Sequence, residues 1–154
     1  MFGRRKKDEG IASESIGDFI EGLCSEMQIP DGDAASGVAA AIGVATAKKA
    51  AANTHRSQDK KSGASKKADE VAKSMHPDKL ISVTDVDASV YYREICIWKN
   101  MDLSAVQKAE RIVECEKEIF EARKDIFERC HKNVMLIDGF LEDCHETFIA
   151  DDKV

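Results

Sequence analysis

The sequence predicts an all-α fold, and three observations predict it. Ala, Lys, Glu and Ile are abundant while only two prolines and nine glycines interrupt the 154 residues, a helix-forming mixture. Apolar residues recur at helical rather than alternating spacing, most regularly where positions 112/113, 119/120, 126/127 and 133/134 repeat every seven residues. Turn-forming residues (Pro30, Asp31-Gly32-Asp33, Ser62-Gly63, His76-Pro77, Asp138-Gly139) fall between these segments. Together they predict an antiparallel bundle of five to six helices. A single domain is expected over residues 13–154, behind a flexible tail at 1–12 that carries no periodic apolar signal.

The elements follow in order. Ile16, Phe19, Ile20, Leu23 and Met27 share helical spacing, and Ser15 with Asp18 forms an N-cap signal for a first helix that ends before Pro30. A second helix, capped by Asp33 or Ser36, is expected to reach about Asn53. Its faces are filled with small residues, and Gly37 and Gly43 each cost about 1 kcal/mol against alanine there. Such a surface suits close backbone approach. A third helix is expected over Ala64–Met75. A fourth, capped by Thr84 with Asp87, should run to about Asn100. Ser104 with Gln107 opens the longest helix, closed by Asp138-Gly139, and a short helix is expected over Phe140–Ala150.

Charge and cysteine usage narrow the function classes. Five widely spaced cysteines without a CxxC pair suggest neither a disulfide framework nor a zinc knuckle, so a reducing cytoplasmic compartment is expected. No apolar run approaches the roughly 20 residues of a membrane helix. The net charge is -6, yet Lys48–Lys79 carries nine basic residues against four acidic ones. Such a run is ordinarily a solvated face, and otherwise meets an anionic ligand. No nucleic-acid or membrane partner is expected.

Several short motifs compete for attention. Asp31-Gly32-Asp33 begins like a calcium loop, but the sixth and twelfth positions are Ser36 and Ile42 rather than Gly and Glu. Cys130-His131 and Cys144-His145 pair metal-binding residue types, yet neighbours on a helix point about 100° apart, so no metal site is expected. His76-Pro77-Asp78 ends a basic segment and resembles the signature of J-domain cochaperones, without their aromatic-rich first helix. Pro77 reads equally as the first-turn residue of a new helix.

The order of larger motifs carries a broader resemblance. Ser15-Ile-Gly-Asp-Phe19-Ile-Glu-Gly-Leu23-Cys-Ser25, then Pro30 with Gly32, then a small-residue helix reaching Asn53-Thr54, is similar to the cyclodeaminase/cyclohydrolase family of folate one-carbon metabolism. That family begins S-(I/L)-x-x-F-L-x-x-L-(A/S)-S and continues through P-G-G-G-S and an A-N-L-T segment. Asp85-Val-Asp87-Ala88-Ser-Val-Tyr91 resembles its D-x-D-A-x-A-(F/Y), and Leu141-Glu142-Asp143 its (I/L)-S-D. The resemblance covers about residues 15–150. The chain departs where Asp31 and Asp33 replace loop glycines, where Glu114 replaces a proline and Glu142 a serine, and where family members continue for roughly two more helices.

The resemblance implies a dimerising helical bundle acting on a tetrahydrofolate derivative. Family cyclodeaminases expel ammonia from formimino-tetrahydrofolate, and cyclohydrolases add water to methenyl-tetrahydrofolate. Carried over by position, Asp87 and Asp143 are the candidate catalytic carboxylates, suited to stabilising a cationic amidine-like carbon and relaying a proton. Gly32 and Asn53 are candidate folate contacts, and Lys60 and Lys61 candidate receptors for the anionic glutamate tail. The small-residue helix is the expected homodimer surface. Asp31 and Asp33 would repel an anionic substrate, which opens the alternative of a non-catalytic family member serving as a helical interaction module.

Overall fold

The computed structural model describes residues 10–143. Among them are a 3-10 turn, Ile11–Ser13, and six α-helices: α1 Ile16–Leu23, α2 Gly32–Ala52, α3 Ser57–Ser62, α4 Ala64–Ser74, α5 Pro77–Lys99 and α6 Ala105–Asp138, with no strand. The all-α class expected from composition and periodicity is therefore the one observed. The first nine residues of the expected tail lie outside the described residues, as does the last expected helix from Cys144-His145 onward, while its expected start at 140–143 is turn rather than helix. Ile11, also read as tail, is buried at 7% exposure, and its backbone N–H donates to the Asp85 carboxylate.

Local chemistry explains most boundaries. Ser15 caps α1, its hydroxyl accepting from the Asp18 backbone N–H at 3.1 Å. Ser104 and Gln107 form the expected reciprocal box before α6, with bonds of 3.3 and 3.0 Å. Two capping expectations are corrected. Asp31, rather than Asp33 or Ser36, caps α2 by accepting from the Ala34 backbone N–H at 3.0 Å. Thr84 and Asp87 start no helix, because α5 begins at Pro77, whose fixed φ suits a first turn, and runs unbroken past both. The short α3 was not foreseen. Asp59 accepts the Arg56 backbone N–H at 2.7 Å and pairs with its guanidinium, while Gly63 at φ 89° turns the chain directly into α4.

The described residues divide into two compact units, 10–38 with 81–126 and 39–80 with 127–143. In the first, Ile11, Phe19, Ala34 and Ala88 are buried together against Leu23, Ile29 and Val38, and Val90, Cys115 and Ile119 pack with Tyr91 and Ile97. Gly37 is where α2 meets α5: a Cβ there would lie 2.0 Å from Thr84 Oγ1. The small residue is thus needed within one chain. In the second unit, Ala47, Ala50, Ala51, Ala68, Met75, Leu80 and Phe140 are almost fully buried. Lys48 Nζ donates to the Met75 carbonyl at 3.0 Å, at the end of α4.

The wide apolar stripe expected on α6 is only half used in the first unit. Ile112 and Ile119 are buried, whereas their sequence neighbours Val113 and Phe120, together with Val106, are 46–68% exposed. Ile16 and Ile20 of α1 are likewise exposed.

Candidate functional site

Asp87 is the polar centre of the first unit. It sits on α5 beside Ala88, which enters the apolar cluster, and the whole residue is only 2% exposed. A buried carboxylate needs a partner. Arg123, from α6, supplies it: its Nε donates to Asp87 Oδ1 at 3.1 Å. The same guanidinium reaches outward, with its terminal nitrogen 2.6 Å from Asp33 Oδ2 in the first turn of α2. Asp33 and Arg123 are each about half exposed, so the cluster has a dry inner end at Asp87 and a wet outer end at Asp33.

The electrostatics of Asp87 reflect this gradient. Burial pushes its carboxyl above the ordinary value of 3.8, Arg123 pulls it back through charge and hydrogen bonding, and Asp33 and Asp31 push it up again. A carboxyl raised in this way can hold a proton where an exposed aspartate has lost it, the requirement for an acid–base group.

The remaining predicted residues are dispersed. Gly32 lies at the exposed start of α2, with no atom within 4 Å of where a Cβ would stand. Asn53 is exposed, and its side-chain amide donates to the Lys49 carbonyl at 2.8 Å, closing the last turn of α2. Lys60 and Lys61 are exposed on α3. Asp143 belongs to the second unit, where it is paired with Lys67 of α4. Asp87, Asp33 and Gly32 thus share the first unit, while Asn53, Lys60, Lys61 and Asp143 belong to the second.

Arg123 escaped the sequence reading. It is 36 positions from Asp87 and 90 from Asp33, so no local spacing announces it. The one available signal was an arginine on the flank of an apolar stripe opposite two unexplained acids. His76-Pro77-Asp78 forms the entry to α5. No group of three or more His, Cys, Asp or Glu suited to a metal ion occurs among the described residues, and none of their helices is long and apolar enough to cross a membrane. An open depression of about 430 Å³ is lined by Phe127, Glu128, His131, Lys132, Met135 and Leu136, all on α6. One helix face cannot enclose a ligand, and none of the predicted site residues lines it.

Comparison with known proteins adds one match. The family model described as Formiminotransferase-cyclodeaminase matches residues 15–154. No curated protein and no solved structure matches the chain.

Proposed function

This chain belongs to the formiminotransferase-cyclodeaminase family, and we propose that it binds a reduced folate and performs cyclodeaminase- or cyclohydrolase-type chemistry with Asp87 as the acid–base group. The observation that carries this reading is the buried Asp87 carboxyl, raised by its surroundings and held by a single guanidinium. In its acid form Asp87 protonates the departing amino nitrogen of a formimino group. As a carboxylate it stabilises the positive charge on the amidine-like carbon.

In the first unit, Gly32 leaves open backbone for a flat ring system to approach. For the second unit taken by itself, the family resemblance assigns a polar contact to Asn53, the glutamate tail to Lys60 and Lys61, and the role of second carboxylate to Asp143, which is paired with Lys67. Cys24, Cys96, Cys115 and Cys130 are free thiols, which supports a reducing, cytoplasmic setting. Homodimerisation through α2 is part of the same reading. Its available face is the one with exposed Ile42 and with Gly43, where a Cβ would meet nothing, because Gly37 is occupied by Thr84.

A second reading is favoured by two specific features. The Asp87 carboxylate is already neutralised, and Val106, Val113 and Phe120 leave an apolar row spaced by seven on α6 exposed. These suit a non-catalytic member that uses its helices to bind a partner. Incubation with formimino-tetrahydrofolate separates the readings. The enzyme reading expects release of ammonia with appearance of the methenyl chromophore, or, given methenyl-tetrahydrofolate, loss of that chromophore. Binding without either reaction would select the non-catalytic reading, and absence of binding would remove folate altogether.

A further inference from the structure

Two acids replace glycines of the family loop, and the structure gives them different work. Asp31 caps α2 through the Ala34 backbone N–H. Asp33 caps nothing. Its carboxylate lies on the outer end of the Arg123 guanidinium at 2.6 Å, while the inner end donates to Asp87 at 3.1 Å. A guanidinium is a planar fork of five donors suited to carboxylates. Its inner nitrogen is committed to a buried acid, but its outer nitrogen is held by a half-exposed one.

We propose that Asp33 is a built-in competitor: it occupies the position on Arg123 that a ligand carboxylate takes, so that carboxylate-bearing ligands bind this site by displacing Asp33. The inference goes beyond the folate reading, in which Lys60 and Lys61 take the glutamate tail, and its ligand is a small carboxylate. Both partners of the outer pair are about half exposed, and pairs of this kind contribute at most about 1 kcal/mol. The latch is therefore weak enough for a ligand to open. The inner pair is different, because releasing Arg123 from Asp87 would leave a buried carboxylate alone. Displacement is thus confined to Asp33, and Arg123 stays anchored to Asp87 as a fixed receptor for the incoming group. Asp33 also bears on Asp87 directly, by adding negative charge near it.

The test follows the Arg123 Nε–H resonance while glutarate, a small dicarboxylate, is titrated into the full chain. Asp33→Asn and Asp33→Ser remove the competitor. Asp31→Asn removes the same charge without touching Arg123, and asparagine still caps a helix. The Asp33 variants are expected to respond at glutarate concentrations about fivefold lower than wild type, with Asp31→Asn close to wild type. Equal midpoints in wild type and the Asp33 variants would overturn the proposal. So would an equal gain from Asp31→Asn, which would mean only a general loss of repulsion. No response of wild type or of the Asp33 variants to glutarate would overturn it as well.

Discussion

Asp87→Asn is expected to lower turnover by about 10²–10⁴-fold while leaving the protein folded, and Arg123→Ala to destabilise the fold instead. The two variants act on opposite sides of one buried pair. Asparagine keeps the shape of the Asp87 side chain but carries no titratable proton and no charge to bury, so what it removes is chemistry. Alanine at position 123 leaves the Asp87 carboxylate, 2% exposed, without its guanidinium, at an expected cost of about 2–3 kcal/mol near pH 7. A value below that of fully buried pairs is appropriate because Arg123 is itself half exposed.

The pH dependence gives this prediction its sign. The folded-state value of Asp87 is raised above 3.8, so between those two values the native state binds the proton more than the unfolded state does. Stability from this group therefore falls as pH rises through that window. Removing Arg123 removes the main lowering influence on Asp87 and widens the window upward. The deficit of Arg123→Ala against wild type should then be greatest at neutral pH and shrink toward pH 4. Denaturant titrations at a series of pH values check it. A deficit independent of pH would mean that lost packing, and not the stranded carboxylate, is responsible.

Gly37→Ala is expected to destabilise by about 2–3 kcal/mol, and Gly43→Ala to stabilise by up to about 1 kcal/mol, although both replace glycine by the better helix former in the same helix. The difference is the neighbour. At Gly37 the added Cβ would meet Thr84 Oγ1 at 2.0 Å and Thr84 Cβ at 2.9 Å, whereas at Gly43 it meets nothing within 4 Å. Truncation to Thr84→Ala should rescue Gly37→Ala only in part, since the Thr84 Cβ remains too close. Chemical denaturation of the two single variants and the double variant measures that coupling. Similar behaviour at the two glycines would mean that α2 and α5 do not approach at Gly37.

The fold was legible where local chemistry decides it. Ser15 with Asp18 and Ser104 with Gln107 are short-range hydrogen-bond pairs, and both appear as read. Thr84 with Asp87 has the same spacing and misled, because the residues before it already form a helix that Pro77 starts. Their side chains serve contacts far along the chain: Thr84 meets Gly37, and Asp87 meets Arg123. The small-residue character of α2 was legible too, but not its partner, since close approach to another helix of the chain and to a second copy require the same residues. At the candidate site, motif order singled out Asp87. Arg123 and the distinct roles of Asp31 and Asp33 depend on tertiary contacts that no periodicity encodes.

The most direct test of the central claim is a thermal-shift titration of the wild-type chain with 5,10-methenyl-tetrahydrofolate. A ligand that binds only the native state adds stability of RT ln(1 + [L]/Kd), so a folate-binding protein must show a Tm that climbs with ligand concentration, by an increment equivalent to about 2.7 kcal/mol at a hundredfold excess over Kd. That rise is the expected result. A Tm unchanged up to millimolar ligand would contradict it and leave the Asp87–Arg123–Asp33 cluster as a structural feature of the fold.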